Sequence, residues 1–537
     1  MNPTAPENSK RRLSLGNVAV LLVTTSLFGQ ILGFMRTKLI NANFNSLHTL
    51  AGQNAGVYFA AFSIPDFFFY TIAAGALGVA FMPYLSDRLH HGDRKGLWEL
   101  SASLLNFLAI IMAGVAVIIL VFARPLIHHV VAPGLNPEQL TNATTLMRLL
   151  ALNPLLFTIS GILTSAQQTM GRFFFYAIAP LFYNLSIILS IYAFRHNIGI
   201  VGLGVGAIIG AILQLIVVAI GSARLNFHWH PKIMWRSSDF RSMLRQLPPR
   251  SMDQGMDQIQ SVVETNFASR PALGGATAIS NYNNAYILHT APILLIGTAI
   301  STAAFPRLNA RLSQGRSDLF RKDFLMVIRA MIWITLPVIT TCYFARAYLA
   351  RLIFTNNNAD IALIFGFLTG AIFFRIMYSI MSRWFYAQKD TRTPLLVSVF
   401  TIGFNIFLAW KLSQPSAYGV AGLALAQSIV AGTEVVILAV IMLFRDHGLF
   451  DASFWGGVLR TVSVTGFSVV AGFVMISLYP LGAKDVGFIT LGGKFFLIAA
   501  VIFGVHLSIS ALFELEEVRP VISRLRKIVL KPVKVDI

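Results

Sequence analysis

Acidic residues are scarce in this chain. Only 22 Asp and Glu stand among 537 residues, against 42 Lys and Arg, and charged residues of both signs make up 12%. Soluble domains carry about a quarter charged residues. The three or four soluble domains that this length would suggest are therefore excluded. Cysteine is nearly absent, and a lone Cys342 makes neither an intrachain disulfide nor a cysteine-based metal site. No G-x-x-x-x-G-K-[ST] phosphate cradle occurs: Gly492-Gly493-Lys494 is followed by Phe495, so the chain is not read as an ATPase. There is no G-x-S-x-G elbow and no Ser/His/Asp set. His228-Trp229-His230 and the pairs His90-His91 and His128-His129 lack partners at metal spacing. The chain is read as a non-enzyme without a cofactor. Any work it does must draw on an ion gradient, the membrane potential or the substrate's own gradient.

What the chain has is apolar length. Hydrophobic residues make up 56% of it, and runs of about 20 residues recur from Asn17 almost to Glu514, each long enough to cross a hydrocarbon core as a helix. The expected fold is an all-α polytopic membrane protein. Spans are placed near 17–40, 55–85, 98–123, 144–167, 174–194, 200–223, 242–267, 276–305, 323–345, 360–386, 395–412, 418–444, 454–479 and 489–513, about fourteen by length. The first run is too long for a signal peptide and has no cleavage site, so it is read as a retained span behind a cytoplasmic basic cluster, Lys10, Arg11 and Arg12.

Basic residues orient these spans. Even-numbered connections hold clusters such as Arg224, Lys232, Arg236, Arg241 and Arg245, and the tail adds Arg519, Arg524, Arg526, Lys527, Lys531 and Lys534. Odd-numbered connections hold mostly single residues, such as Arg124 and Arg195. The tally is roughly 26 on one side against roughly 9 on the other, which places both termini in the cytoplasm. The net charge of +20 is thereby a topological signal and a contact with anionic membrane lipid, with no nucleic-acid partner.

The sequence also repeats. Phe81-Met82-Pro83-Tyr84-Leu85 through Gly92 matches Ala304-Phe305-Pro306-Arg307-Leu308 through Gly315 at an offset of 223 residues. Ala166-Gln167 and Asn184 match Ala387-Gln388 and Asn405 at 221, and Gly199, Gly202 and Leu203 match Gly419, Gly422 and Leu423 at 220. Six spans separate the copies, so both start from the same side of the membrane, related by an axis along its normal. The expected division is a cytoplasmic segment 1–16, an N-lobe 17–225 of spans 1–6, a C-lobe 226–448 of spans 7–12, two extra spans within 449–514, and a basic cytoplasmic tail 515–537. Two such lobes suit a transporter that opens a central cavity to each face in turn.

Ionisable groups inside a bilayer cost about 2.5–3.5 kcal/mol each and mark sites or pathways. Span 7 carries Arg250, Asp253, Gln254, Asp257, Gln258, Gln260 and Glu264. At about 100° per residue, Asp253, Asp257 and Glu264 fall within about 40° of one another, with Arg250 about 60° from Asp253. That stripe is read as an ion-coupling or cavity wall, the alternative being an ion-paired seam. Span 8 adds Asn281, Asn283, Asn284 and His289, the histidine taken as structural. Span 1 holds Gln30 and Arg36; Arg36 has a planar fork suited to phosphate, although snorkelling would also explain it. Arg375, deep in span 10, is a second cavity candidate, whereas Arg383 beside Trp384 reads as an interfacial anchor. The candidate substrate-binding set is Arg36, Gln30, Arg250, Arg375, Asn283 and Asn284, and the ion-coupling set is Asp253, Asp257 and Glu264.

Specific motifs add to this. They are Ile31-Leu32-Gly33-Phe34-Met35-Arg36, Ile64-Pro65-Asp66, Ala132-Pro133-Gly134-Leu135, Gly171-Arg172-Phe173, and above all Phe385-Tyr386-Ala387-Gln388-Lys389-Asp390-Thr391-Arg392-Thr393-Pro394. In order and along essentially the whole chain, they resemble the lipid II flippases of the MurJ (MviN) family, whose superfamily also holds multidrug extruders and polysaccharide flippases. The resemblance implies fourteen spans, two six-helix lobes around a cationic cavity in which Arg36 is one of the arginines, and a groove with spans 13 and 14 for the lipid tail. It implies lipid II, a lipid-linked peptidoglycan precursor, as the substrate moved between leaflets of the bacterial plasma membrane. Cell-wall synthesis or division proteins are further partners it would suit. Several family charges are replaced here, by Gln30, Gly56, Phe67-Phe68-Phe69-Tyr70 and Tyr286-Ile287. The alternatives are a cation-coupled exporter of small molecules, a flippase for another lipid-linked oligosaccharide, and a non-transporting scaffold.

Overall fold

The computed structural model describes residues 15–45, 52–74, 81–225, 227–354, 358–482, 484–519 and 521–523, with the backbone alone at 15–20, 23, 74, 246 and 248–254. Among these residues the regular structure is entirely helical. In chain order the α-helices are α1 (Leu15–Phe44), α2 (Ala55–Phe68), α3 (Met82–His90), α4 (Arg94–Pro125), α5 (Pro137–Leu150), α6 (Asn153–Thr169), α7 (Phe174–Phe194), α8 (Val201–Ala223) and α9 (Ser238–Ala268). They continue as α10 (Ala276–Pro292), α11 (Ala299–Ser313), α12 (Ser317–Phe344), α13 (Arg346–Ile353), α14 (Asn358–Ala387), α15 (Arg392–Leu412), α16 (Val420–Arg445), α17 (Ala452–Leu478) and α18 (Phe488–Leu512).

Twelve helical segments of the described residues are long and apolar enough to cross a membrane. Expected spans 1 and 7 coincide with α1 and α9, of 30 and 31 residues, which are not among the twelve. Among the described residues three spans change pitch part-way, into wide-turn segments at Phe69–Ala74, Leu126–Val131 and Ile293–Thr298. The last two begin directly after Pro125 and Pro292. Proline lacks an N–H and its ring displaces the carbonyl four residues back, so the ladder slips to a longer register there.

The chain divides into two compact units, Met1–Val262 and Val263–Ile537, with the division inside α9. In the N-terminal unit α7 and α8 make the most extensive helix–helix contact, and glycines make it possible. A methyl group at Gly202 would approach Phe194 Cβ within 2.3 Å, at Gly206 Ser190 Oγ within 2.2 Å, and at Gly210 Tyr183 Cα within 3.0 Å. This G-x-x-x-G spacing lets two backbones approach in a medium where apolar burial alone does not drive helices together. Leu97, Leu104, Leu108 and Met112 of α4 join Ile162, Val218, Phe240 and Met243 in one buried cluster.

In the C-terminal unit α14 packs against α10, α12 and α16. Ser428 stitches it to α16: its hydroxyl donates to Phe367 O (2.5 Å) and accepts from Ala371 N (2.9 Å). The scarce acids are largely committed at helix ends. Asp323 receives Arg307 (2.6 Å) and Arg311 (3.1 Å), Asp446 pairs with Arg321, Asp390 with Arg445 (2.7 Å), and Glu517 with Arg329 (2.6 Å). Asp390 also accepts from Arg392 N, Thr393 N and the Thr393 hydroxyl. Burial pushes its carboxyl upward, but those donors and Arg445 outweigh burial and hold it at about 2.

Candidate functional site

The polar interior of the C-terminal unit is built in two layers. In the first, Glu264 of α9 is 3% exposed, and its carboxylate accepts from the Tyr282 hydroxyl of α10 and from Gln427 Nε2 of α16, each at 2.8 Å. The second layer lies seven residues further along both α10 and α16. There Arg375 Nη1 of α14 donates to Glu434 Oε2 of α16 at 3.3 Å, and the Ser398 hydroxyl of α15 donates to Glu434 Oε1 at 2.8 Å. Tyr378 Oη lies 3.1 Å from Ser398 Oγ. His289 of α10 is buried within electrostatic range of Arg375, with no hydrogen bond of normal geometry at either ring nitrogen. Seven residues bring a helix almost back to the same face after about 10.5 Å. Tyr282 with Gln427 and His289 with Glu434 are therefore successive rungs on two parallel faces.

The N-terminal unit holds a simpler arrangement. Arg36 of α1 reaches α7, where its Nη1 donates to Asn184 Oδ1 at 3.0 Å. Its Nε is buried without a hydrogen-bond partner. Asp66 and Tyr58 of α2 lie within electrostatic range of this guanidinium. A cavity of about 330 Å³ in the same unit, lined by Phe69, Phe157, Ser160, Tyr176 and Gln214 among others, includes none of the expected site residues.

These placements sort the sequence candidates. Arg375 and Glu264 enter the two polar layers. Asn284 is fully buried and donates to Ser280 Oγ (3.3 Å) within its own helix, while Asn283 is half-buried. Gln30 is exposed, about a third of a turn round α1 from Arg36. Asp257 is exposed where Glu264 is buried, so the face they share on α9 is covered at one end only. Arg250 and Asp253 lie outside the described side chains. Sequence reading passed over Glu434 as a site residue, although it is a carboxylate in the middle of an apolar span, and likewise Asp66, Ser398 and Tyr378. For the two acids the signal was the intramembrane charge itself; for Ser398 and Tyr378 only the fold shows the contact.

Known proteins share this architecture. A solved lipid II flippase MurJ in an inward closed conformation superposes with a TM-score of 0.75 at 22% identity, covering 92% of this chain and 98% of that one. An inward-facing multidrug resistance MATE family transporter of the MOP superfamily gives 0.64 at 16% identity, covering 81% and 99%. At these identities the likeness is one of fold. Among curated relatives, a probable lipid II flippase MurJ of Borreliella burgdorferi is 23% identical over 90% of this chain and 93% of its own length. One from Buchnera aphidicola subsp. Acyrthosiphon pisum is 25% identical over 87% and 91%. The family model described as lipid II flippase MurJ matches residues 50–489. With that match across most of its length, the chain belongs to the MurJ family of lipid II flippases, multi-span proteins of the bacterial inner membrane.

Proposed function

We propose that this protein is a flippase, not an enzyme, which carries the lipid-linked peptidoglycan precursor lipid II from the inner to the outer leaflet by alternating access. The observation that carries this reading is the family match over residues 50–489. It favours lipid II over the alternatives, a small-molecule exporter or a flippase for another lipid-linked oligosaccharide. In this reading α1 and α9 complete fourteen spans, both termini are cytoplasmic, and the lobes are 17–225 and 226–448, with α17 and α18 beside the lipid tail. Arg36, Gln30 and Arg250 of one unit, and Arg375, Asn283 and Asn284 of the other, are each assigned to binding the substrate's headgroup, while Asp253, Asp257 and Glu264 serve ion coupling. Arg36 suits its role because it is a half-buried cation hydrogen-bonded to a neutral amide, with a buried Nε that makes no hydrogen bond; such a donor gains from a charged acceptor.

Complementation tests the assignment. The wild-type chain is expected to restore growth to a flippase-deficient strain, and Arg36→Ala to fail while reaching the membrane at wild-type level. Failure of the wild-type chain would contradict the lipid II reading, and full rescue by Arg36→Ala would contradict the arginine's role.

A further inference from the structure

Arg375 and Glu434 form an intramembrane ion pair whose two halves differ in access. The Arg375 side chain is 24% exposed, whereas that of Glu434 is 2% exposed. A ligand can reach the cation but not the carboxylate. An anionic headgroup arriving at Arg375 therefore competes with Glu434 for one positive charge. As its interaction with Arg375 weakens, Glu434 keeps the Ser398 hydroxyl at 2.8 Å, and one neutral donor does not replace a cation for a buried carboxylate. Leaving such a charge uncompensated costs several kcal/mol, and protonation removes that cost.

We propose that Glu434 is a proton-binding site coupled to the substrate: it takes up a proton from water as the headgroup captures Arg375, and gives it up when the headgroup leaves and the ion pair re-forms. The inference rests on Arg375 as a headgroup contact, proposed above. It adds a proton-linked carboxylate outside the acidic stripe of α9, which keeps its own place in ion coupling. The groups facing the pair are Tyr378 from α14, Ser398 from α15 and His289 from α10. Glu264 stands one layer away, bonded to Tyr282 and Gln427. The pyrophosphate of a lipid-linked sugar is a diester and stays fully ionised around neutral pH, so a proton taken up on binding goes to the protein. One proton per headgroup leaves net negative charge to move outward, the direction an inside-negative membrane potential favours.

The test uses the full chain in lipid nanodiscs, with lipid II as the probe, in weak buffer containing a pH-indicator dye. Wild type is expected to take up about one proton per lipid bound, and its affinity to rise by up to about tenfold per pH unit as pH falls. Glu434→Gln is expected to take up none and to bind with a flat pH profile, while His289→Asn keeps the wild-type slope. No proton uptake by the wild type would overturn the proposal, and this measurement needs no variant to fold. A wild-type slope in Glu434→Gln, or a flat profile in His289→Asn, would overturn it too. Arg375→Gln separates this inference from the reading beneath it. Weakened lipid II binding in that variant, beside an unchanged slope in Glu434→Gln, contradicts the proton site alone. Unchanged binding in Arg375→Gln contradicts Arg375 as a headgroup contact, and with it the coupling.

Discussion

At Gly199 in the N-terminal unit and Gly419 in the C-terminal unit, φ is 59° and 57°; at Gly92 and Gly315 it is 74° and 70°. These are repeat partners, and their backbones follow one another closely. Gly202 and Gly422 also agree, each leaving no room for a methyl group, against Phe194 Cβ at 2.3 Å and against the Leu412 carbonyl at 2.0 Å. The side chains at matched positions have gone separate ways. Asn184 holds Arg36, whereas the amide of its partner Asn405 is buried with neither atom hydrogen-bonded. Gln167 donates to Val218 O and Ser222 Oγ, whereas Gln388 turns back to Trp384 O. A turn between helices admits few solutions, because only glycine adopts these dihedrals cheaply. The polar interior is free to diverge, and it has. One unit presents a cation hydrogen-bonded to a neutral amide, with Asp66 only within electrostatic range, and the other holds a cation hydrogen-bonded to a buried carboxylate.

Removing each cation tests that difference most strongly. Arg375→Ala leaves Glu434 buried without its charge partner and should cost about 3–5 kcal/mol of stability. Replacing both residues with Met should recover the thermal midpoint in detergent but not transport. Arg36→Ala loses one hydrogen bond to a neutral amide, about 1 kcal/mol, and should abolish transport from a nearly unshifted midpoint. Equal destabilisation by the two alanine variants would break the contrast.

The matched turns come next. Gly199→Ala and Gly419→Ala should each cost about 1–2 kcal/mol by forcing a β-carbon into the left-handed region. The Gly199 variant should be the worse, because its methyl group would also meet the Gln53 side chain at 1.9 Å. Unfolding midpoints in denaturant would show this, and tolerance at one position alone would mean that the turns are not equivalent.

A smaller effect is expected at Asp390, which closes the turn between α14 and α15. Its folded carboxyl sits at about 2, below the ordinary 3.8. A depressed pKa means that its stabilisation is complete above about pH 4 and is lost as pH falls towards 2. Asp390→Asn should therefore lower stability by about 1 kcal/mol at neutral pH and converge with wild type at the acid end. A constant gap across that range would assign the effect to packing.

Much of the fold was legible because a membrane imposes long apolar runs, and twelve of the expected spans appear as helices that meet the same criterion. The proline-linked pitch changes were not anticipated, since span length says nothing about hydrogen-bond register. Of the site, Arg375 and Glu264 were found as intramembrane charges, but their partners lie on other helices, 59 and 163 residues away. Helical periodicity orders residues along one helix and cannot pair them across helices. That is why the α9 stripe looked continuous, although Glu264 is covered by α10 and α16 while Asp257 stays exposed.

The central claim is that this chain moves lipid II across the membrane. It is tested most directly by depleting the protein in its own cells and measuring lipid II accessible at the outer leaflet. The account predicts that outer-leaflet lipid II falls while the inner pool accumulates. An unchanged outer-leaflet level after depletion would contradict it.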